Sequence, residues 1–121
     1  MNNQPNRSNQ SNMKLVIGIV QNQDSRRLSD EFVENKIPAT KLSSTGGFLR
    51  AGNTTFLIGI EERRVEEVLR IIKRNCSTRT QTMVTPPSYD FSLEPELAFP
   101  IDVEVGGANI FVLPIDQFLH F

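Results

Sequence analysis

Asn53–Arg74 reads NTTFLIGIEERRVEEVLRIIKR, and a change of period inside this run decides the fold. Thr54–Ile60 has the length of a strand and carries Phe56, Leu57, Ile58 and Ile60. Beyond Glu61 the spacing changes. Val65, Val68, Leu69 and Ile72 fall at i, i+3, i+4 and i+7, one face of a helix. Glu62 and Glu66 lie early in that helix and Lys73 and Arg74 late, both placements favourable to its dipole.

The same plan occurs upstream. Lys14–Gln21 is a β-branched run, and its VIGIV (Val16–Val20) resembles LIGIE (Leu57–Glu61), 41 residues further on. A helix should follow, capped by Asp24 or Ser25, with Leu28, Phe32 and Val33 on its apolar stripe. Pro38 should end it, and Ala39–Thr45 reads as a second strand. With a further short strand at Thr80–Thr85 the chain reads βαβ–βαβ, the α+β pattern of a ferredoxin-like (split βαβ) domain.

Downstream the pattern breaks. Pro86, Pro87, Pro95 and Pro100 predict a long loop across residues 75–100, parts of which should pack through Tyr89, Phe91, Leu93, Leu97 and Phe99. Ile101–Val105, Gly106-Gly107 and Asn109–Leu113 read as a C-terminal hairpin. Residues 1–12 (MNNQPNRSNQSN) are almost wholly polar and are expected to form a disordered tail, leaving 13–121 as one domain.

Composition narrows the function. The chain has 121 residues, 13 Lys+Arg, 14 Asp+Glu and net charge −1, so no global field attracts nucleic acid or an acidic membrane. One cysteine, Cys76, allows no internal disulfide and suits a reducing, cytoplasmic setting. The early apolar run Leu15–Val20 is far shorter than the roughly 20 residues of a membrane helix. One cysteine and one histidine, His120, are too few for a His/Cys metal centre, and no catalytic constellation stands out. A Cys76–His120 pair is the nearest to one, and Cys76 is not placed at a helix N-terminus that would activate it.

The chemically informative segment is Thr40–Thr55, TKLSSTGGFLRAGNTT. Gly46, Gly47 and Gly52 let backbone N–H groups approach a ligand. Arg50 can bond a phosphate, Phe48 offers a flat face for a base, and Asn53, Thr54 and Thr55 supply selective hydrogen bonds. An ordinary hairpin loop would use the same glycines. The segment matches neither a P-loop nor a dinucleotide fingerprint.

Ala39–Ile60 (ATKLSSTGGFLRAGNTTFLIGI), preceded by KLVIGIVQNQD (Lys14–Asp24) and followed by VEVGGANIFVLPIDQF (Val103–Phe118), closely resembles the cyclic-di-AMP receptor family of P-II-like proteins, the PstA/DarA type. The resemblance covers residues 13–121 and is weakest at 77–98. It implies a homotrimer of ferredoxin-like subunits with ligand sites between neighbours. The ligand residues it carries over are Thr40, through its hydroxyl; Phe48 and Leu49, packed on an adenine; and Asn53, bonded to a polar edge. Gly59 would offer backbone groups, and Phe111 would line the apolar side. Gly47 and Arg50 join them from the loop. His120 falls where family members often carry glutamine, and Pro38 where they often carry a basic residue, so binding weaker than in close relatives is expected. The resemblance implies a signalling protein that reads the second messenger. Its output is expected to be a change in the conformation of loops 46–52 and 75–100 that regulates a protein target, and no enzymatic activity, cofactor or metal is expected. The rival readings are a P-II-like regulator answering ATP or 2-oxoglutarate, a nucleotide hydrolase, and a trimeric structural module without ligand.

Overall fold

The computed structural model describes residues 12–42, 52–84 and 100–121. The VIGIV run lies in β1 (Met13–Gln21), followed by α1 (Asn22–Glu34) and β2 (Thr40–Leu42). LIGIE lies in β3 (Asn53–Glu61), and a 3-10 turn (Glu62–Arg64) leads into α2 (Val65–Cys76). Then come β4 (Arg79–Val84), β5 (Pro100–Val105) and β6 (Ala108–Pro114). The main sheet has the order β2-β3-β1-β6 with every pairing antiparallel. This mixed α+β arrangement of two helices and an antiparallel sheet fits a ferredoxin-like fold.

Alternation along the strands sets the core. Val16, Val20, Phe56, Ile58 and Ile60 are buried on one face of the sheet, against Leu28 and Phe32 of α1 and Val68, Ile71 and Ile72 of α2. Phe32 and Phe56 meet edge to face, ring centres 5.6 Å apart. Each such side chain contributes about 1.5–3 kcal/mol on burial. The i, i+3, i+4, i+7 stripe of α2 thus does what its spacing predicts. In α1 the stripe is narrower than the sequence suggests, because Val33 is 74% exposed.

The helix ends differ from expectation in an informative way. α1 starts at Asn22 without any side-chain cap. Asp24 is instead buried and paired with Arg79, whose Nη2 donates to Oδ1 at 2.7 Å, while Ser25 Oγ donates back to Asn22 O at 2.8 Å. The helix stops at Glu34, before Pro38 can act on it. Ile37 N–H donates to Phe32 O and Lys36 N–H to Val33 O, with Lys36 at φ +55°, a Schellman closure built without glycine.

The C-terminal hairpin does not form. β5 pairs with β4, Gln81 opposite Val103, as a separate two-stranded arm. β6 pairs with β1, Ile17 opposite Phe111, and closes the main sheet. The fourth strand of the split βαβ pattern is therefore β6, and the segment read as that strand, Thr80–Thr85, falls mostly in the arm. The cause is at Gly106-Gly107, which passes the chain from arm to sheet. Gly106 has φ +83°, and a Cβ there would lie 2.6 Å from Ser77 O and 2.7 Å from Arg79 Nη1. Only glycine fits so close to the root of the arm. The expected second strand, Ala39–Thr45, is observed over Thr40–Leu42. The tail 1–12 and the loop 75–100 lie largely outside the described residues, only Asn12, Asn75–Val84 and Pro100 among them being described.

Candidate functional site

The face of the sheet turned away from the helices carries the odd-numbered residues of β1, β3 and β6. Register places Thr40, Leu57, Ile17 and Phe111 in one row across all four strands. Gly59, Leu15 and Leu113 form the next row, and Leu42, Thr55, Ile19 and Asn109 the row on the other side. Asn53, opposite Gln21, ends the same face. Thr40, Asn53, Gly59 and Phe111, four residues singled out from sequence, therefore share one face although they come from three strands.

They do not converge on one point. Thr40 and Phe111 are three strand spacings apart, about 14 Å, and Asn53 and Gly59 are six residues apart along β3, about 20 Å. One small ligand cannot touch all four within a single subunit. Thr40 is exposed on the short strand at one edge of the sheet, and Phe111 is 54% exposed on the strand at the other.

Gly59 is not open to the same degree. It pairs with Leu15, and the C-terminal segment lies over it, Phe118 Cε2 and Ile115 Cδ1 falling 3.8 and 4.0 Å from the position a Cβ would take. Ile115 N–H donates to Met13 O at 3.2 Å, which starts this segment back across the sheet. His120 follows two residues after Phe118 and is exposed. Gly47, Phe48, Leu49 and Arg50 lie outside the described residues.

Two residues at the site were not singled out by sequence, although QNQD (Gln21–Asp24) at a strand–helix junction is a conspicuous polar run. Asn22 N–H donates to Gly52 O at 2.9 Å, and Asn22 Oδ1 accepts from the buried Thr54 hydroxyl at 2.5 Å. Asn22 thereby holds both neighbours of Asn53. Gln21 Oε1 accepts from Gly106 N–H at 2.7 Å.

The chemistry elsewhere is quiet. Burial pushes the Cys76 thiol up to about 11, which removes its nucleophilic form at neutral pH. Cys76 lines an apolar groove of about 500 Å³ between α2 and β6, with Leu69, Ile72, Ala108 and Ile110. A second concavity, about 540 Å³, is bordered by Asn12, Glu61, Glu62 and Arg63. Neither contains any of the described ligand candidates. Among the described residues no cluster of His, Cys, Asp and Glu could hold a metal, and no helix is long and apolar enough to cross a membrane.

A protein of unknown function from Pediococcus pentosaceus is 53% identical to this chain. Its structure superimposes with a TM-score of 0.73, covering 92% of this chain and 99% of its own. A member of the DUF3240 family from Shewanella baltica is 12% identical, with a TM-score of 0.55 over 92% of this chain and 98% of its own, a likeness of fold alone. The sequence model of a family described as cyclic-di-AMP receptor matches residues 13–121, which span every described strand and helix, and the chain belongs to that family.

Proposed function

We propose that this protein binds cyclic di-AMP at sites shared between copies of the chain, and that occupancy alters its loops to regulate a protein target. The observation that carries the reading is the common face of Thr40, Asn53, Gly59 and Phe111. Their spread over about 14 by 20 Å supports a site completed by a neighbour, with the Thr40 edge of one copy beside the Phe111 edge of the next. The partly exposed Leu15, Ile17, Leu57 and Leu113 on that face supply apolar area for subunit contact. Such a head-to-tail contact can close into a ring, and the resemblance to the cyclic-di-AMP receptors makes it a ring of three subunits.

The ligand carries two bases and two phosphate charges. Stacking contributes roughly 1–3 kcal/mol per base, and a hydrogen bond to a charged group roughly 1.5–3 kcal/mol. Less the cost of association, affinity falls near micromolar, about −8 kcal/mol. Calorimetric titration with cyclic di-AMP, with cyclic di-GMP and ATP as controls, tests this directly. Saturable binding near one ligand per subunit, selective for cyclic di-AMP and weakened about tenfold by Phe48→Ala, is expected. Absence of heat and of any thermal shift would overturn the reading, and tight ATP binding would replace it with that of a P-II-like ATP regulator. Sedimentation equilibrium tests the trimer in the same samples.

A further inference from the structure

The β1–α1 corner makes side-chain contacts with two parts of the molecule that otherwise meet only through the sheet ladder, where Thr54 and Ala108 both pair with Val20. On one side, Asn22 holds Gly52 and Thr54, the residues flanking Asn53. On the other, the corner holds both roots of the β4–β5 arm. Asp24 takes Arg79, the first residue of β4, through two guanidinium bonds of 2.7 and 3.4 Å. Gln21 takes Gly106, the first residue after β5, at 2.7 Å. Thr54 and Asp24 are 2% and 1% exposed, so the Asn22–Thr54 and Asp24–Arg79 contacts are ones whose loss leaves a buried group unsatisfied, while Gln21 and Gly106 are half-buried. The root itself has no slack, because Gly106 is wedged against Ser77 O and Arg79 Nη1.

We propose that Gln21–Asp24 is a positioning and coupling element: it sets Asn53 for the ligand and ties the end of the glycine-rich segment to the seating of the arm. The proposal rests on the reading that cyclic di-AMP binds at Asn53. Displacing Gly52–Thr54 moves Asn22, and Asn22 shares the first turn of α1 with Asp24 and adjoins Gln21. The arm root then has two arrangements, seated on Gln21 and Asp24 or released from them. Ligand favours one of the two to the extent that it binds that arrangement better. The coupling is reciprocal, so a substitution that unseats the arm changes ligand affinity by the factor by which ligand changes arm seating.

Amide hydrogen exchange on the full chain, with and without saturating cyclic di-AMP, tests this. In the wild type, ligand should change exchange at Gly106 and across Arg79–Val84 by about fivefold or more. In Gln21→Ala at saturating ligand that response should fall below about twofold. Arg79→Gln should shift the dissociation constant by a factor matching the wild-type arm response. Saturable binding with no change at the arm, or a full response in Gln21→Ala, overturns the coupling while leaving the ligand reading intact. If cyclic di-AMP does not bind, the ligand-free protein still decides. Asn22→Ala should speed exchange at Gly106, which Asn22 does not touch, with Val16 and Ile58 unchanged, and Asn22→Asp, which keeps the acceptor for Thr54, should restore it. Unchanged exchange at Gly106, or acceleration spread equally to Val16 and Ile58, overturns it.

Discussion

Removing Arg79 should damage this protein more than removing its partner Asp24. The carboxylate of Asp24 is 1% exposed, and Arg79 supplies its two guanidinium bonds, with Arg27 further off at 3.6 Å. Arg79→Met leaves that carboxylate enclosed beside a more distant cation, Arg27. Breaking a fully buried pair in this way costs about 3–5 kcal/mol. The Arg79 side chain is 41% exposed, so water screens part of the interaction and about 2–3 kcal/mol is expected here. Asp24→Asn removes the charge and lets Arg79 turn to solvent. It should cost about 1–1.5 kcal/mol, the upper part of the range for an ordinary hydrogen bond, because the amide oxygen still accepts. The double variant should lose about 1–2 kcal/mol less than the sum of the two. Urea unfolding at a fixed protein concentration measures all three, since self-association makes the midpoint depend on concentration. If Asp24→Asn is the more damaging, or if Arg79→Met lies within about 0.5 kcal/mol of wild type, the ion pair does not hold the root of the arm.

Lys36→Gly should stabilise by about 0.5 kcal/mol, because glycine takes φ +55° without the left-handed penalty and returns only part of the gain as unfolded-chain entropy; a loss of stability in thermal melts would count against the Schellman closure. Gly106→Ala and Gly52→Ala share a positive φ but not an environment. A Cβ at Gly106 meets backbone oxygen at 2.6 Å, whereas one at Gly52 meets nothing within 4 Å. About 2–4 kcal/mol is expected for the first and about 1 kcal/mol for the second, and equal losses would mean that crowding at the arm root is unimportant. Cys76 should resist iodoacetamide at pH 8 until the chain unfolds, as its thiol holds its proton up to about 11. An unfolded thiol ionises near 9, so folded-state stability should decline as pH rises from 9 toward 11, and a Cys76→Ala variant should lose that decline.

Periodicity reached the helices and the two long strands because their signal is local. Val65, Val68, Leu69 and Ile72 need only their own helix to read correctly, and VIGIV and LIGIE only their own alternation. The arm was beyond that reach. Two glycines between strand-like runs look the same whether they close a hairpin or carry the chain past an obstacle, and here the obstacle is Ser77 O, about thirty residues upstream. The partner of Asp24 stands 55 residues away, so a buried ion pair reads locally as a capping aspartate. For the site, resemblance named Thr40, Asn53, Gly59 and Phe111, and their common face became visible only with the register of β2 and β6. No pattern in β3 signals that Gly59 is covered by Phe118, because that contact depends on where the segment after Pro114 turns.

The position of β6 also sets when the sheet can be completed. Lys14 pairs with Pro114, a hundred residues later. At a synthesis rate of about 5–20 residues per second, β1 waits roughly 5 to 20 seconds after emerging for its outer neighbour. In that interval its other side can pair with β3, but the edge that β6 will cover presents unpaired backbone groups to any passing strand. Such non-local closure also slows folding of the finished chain. The nascent protein should therefore pass through a three-stranded, aggregation-exposed stage. Chains arrested before residue 108 should be cleaved in β1 by protease, and the released full-length chain should resist.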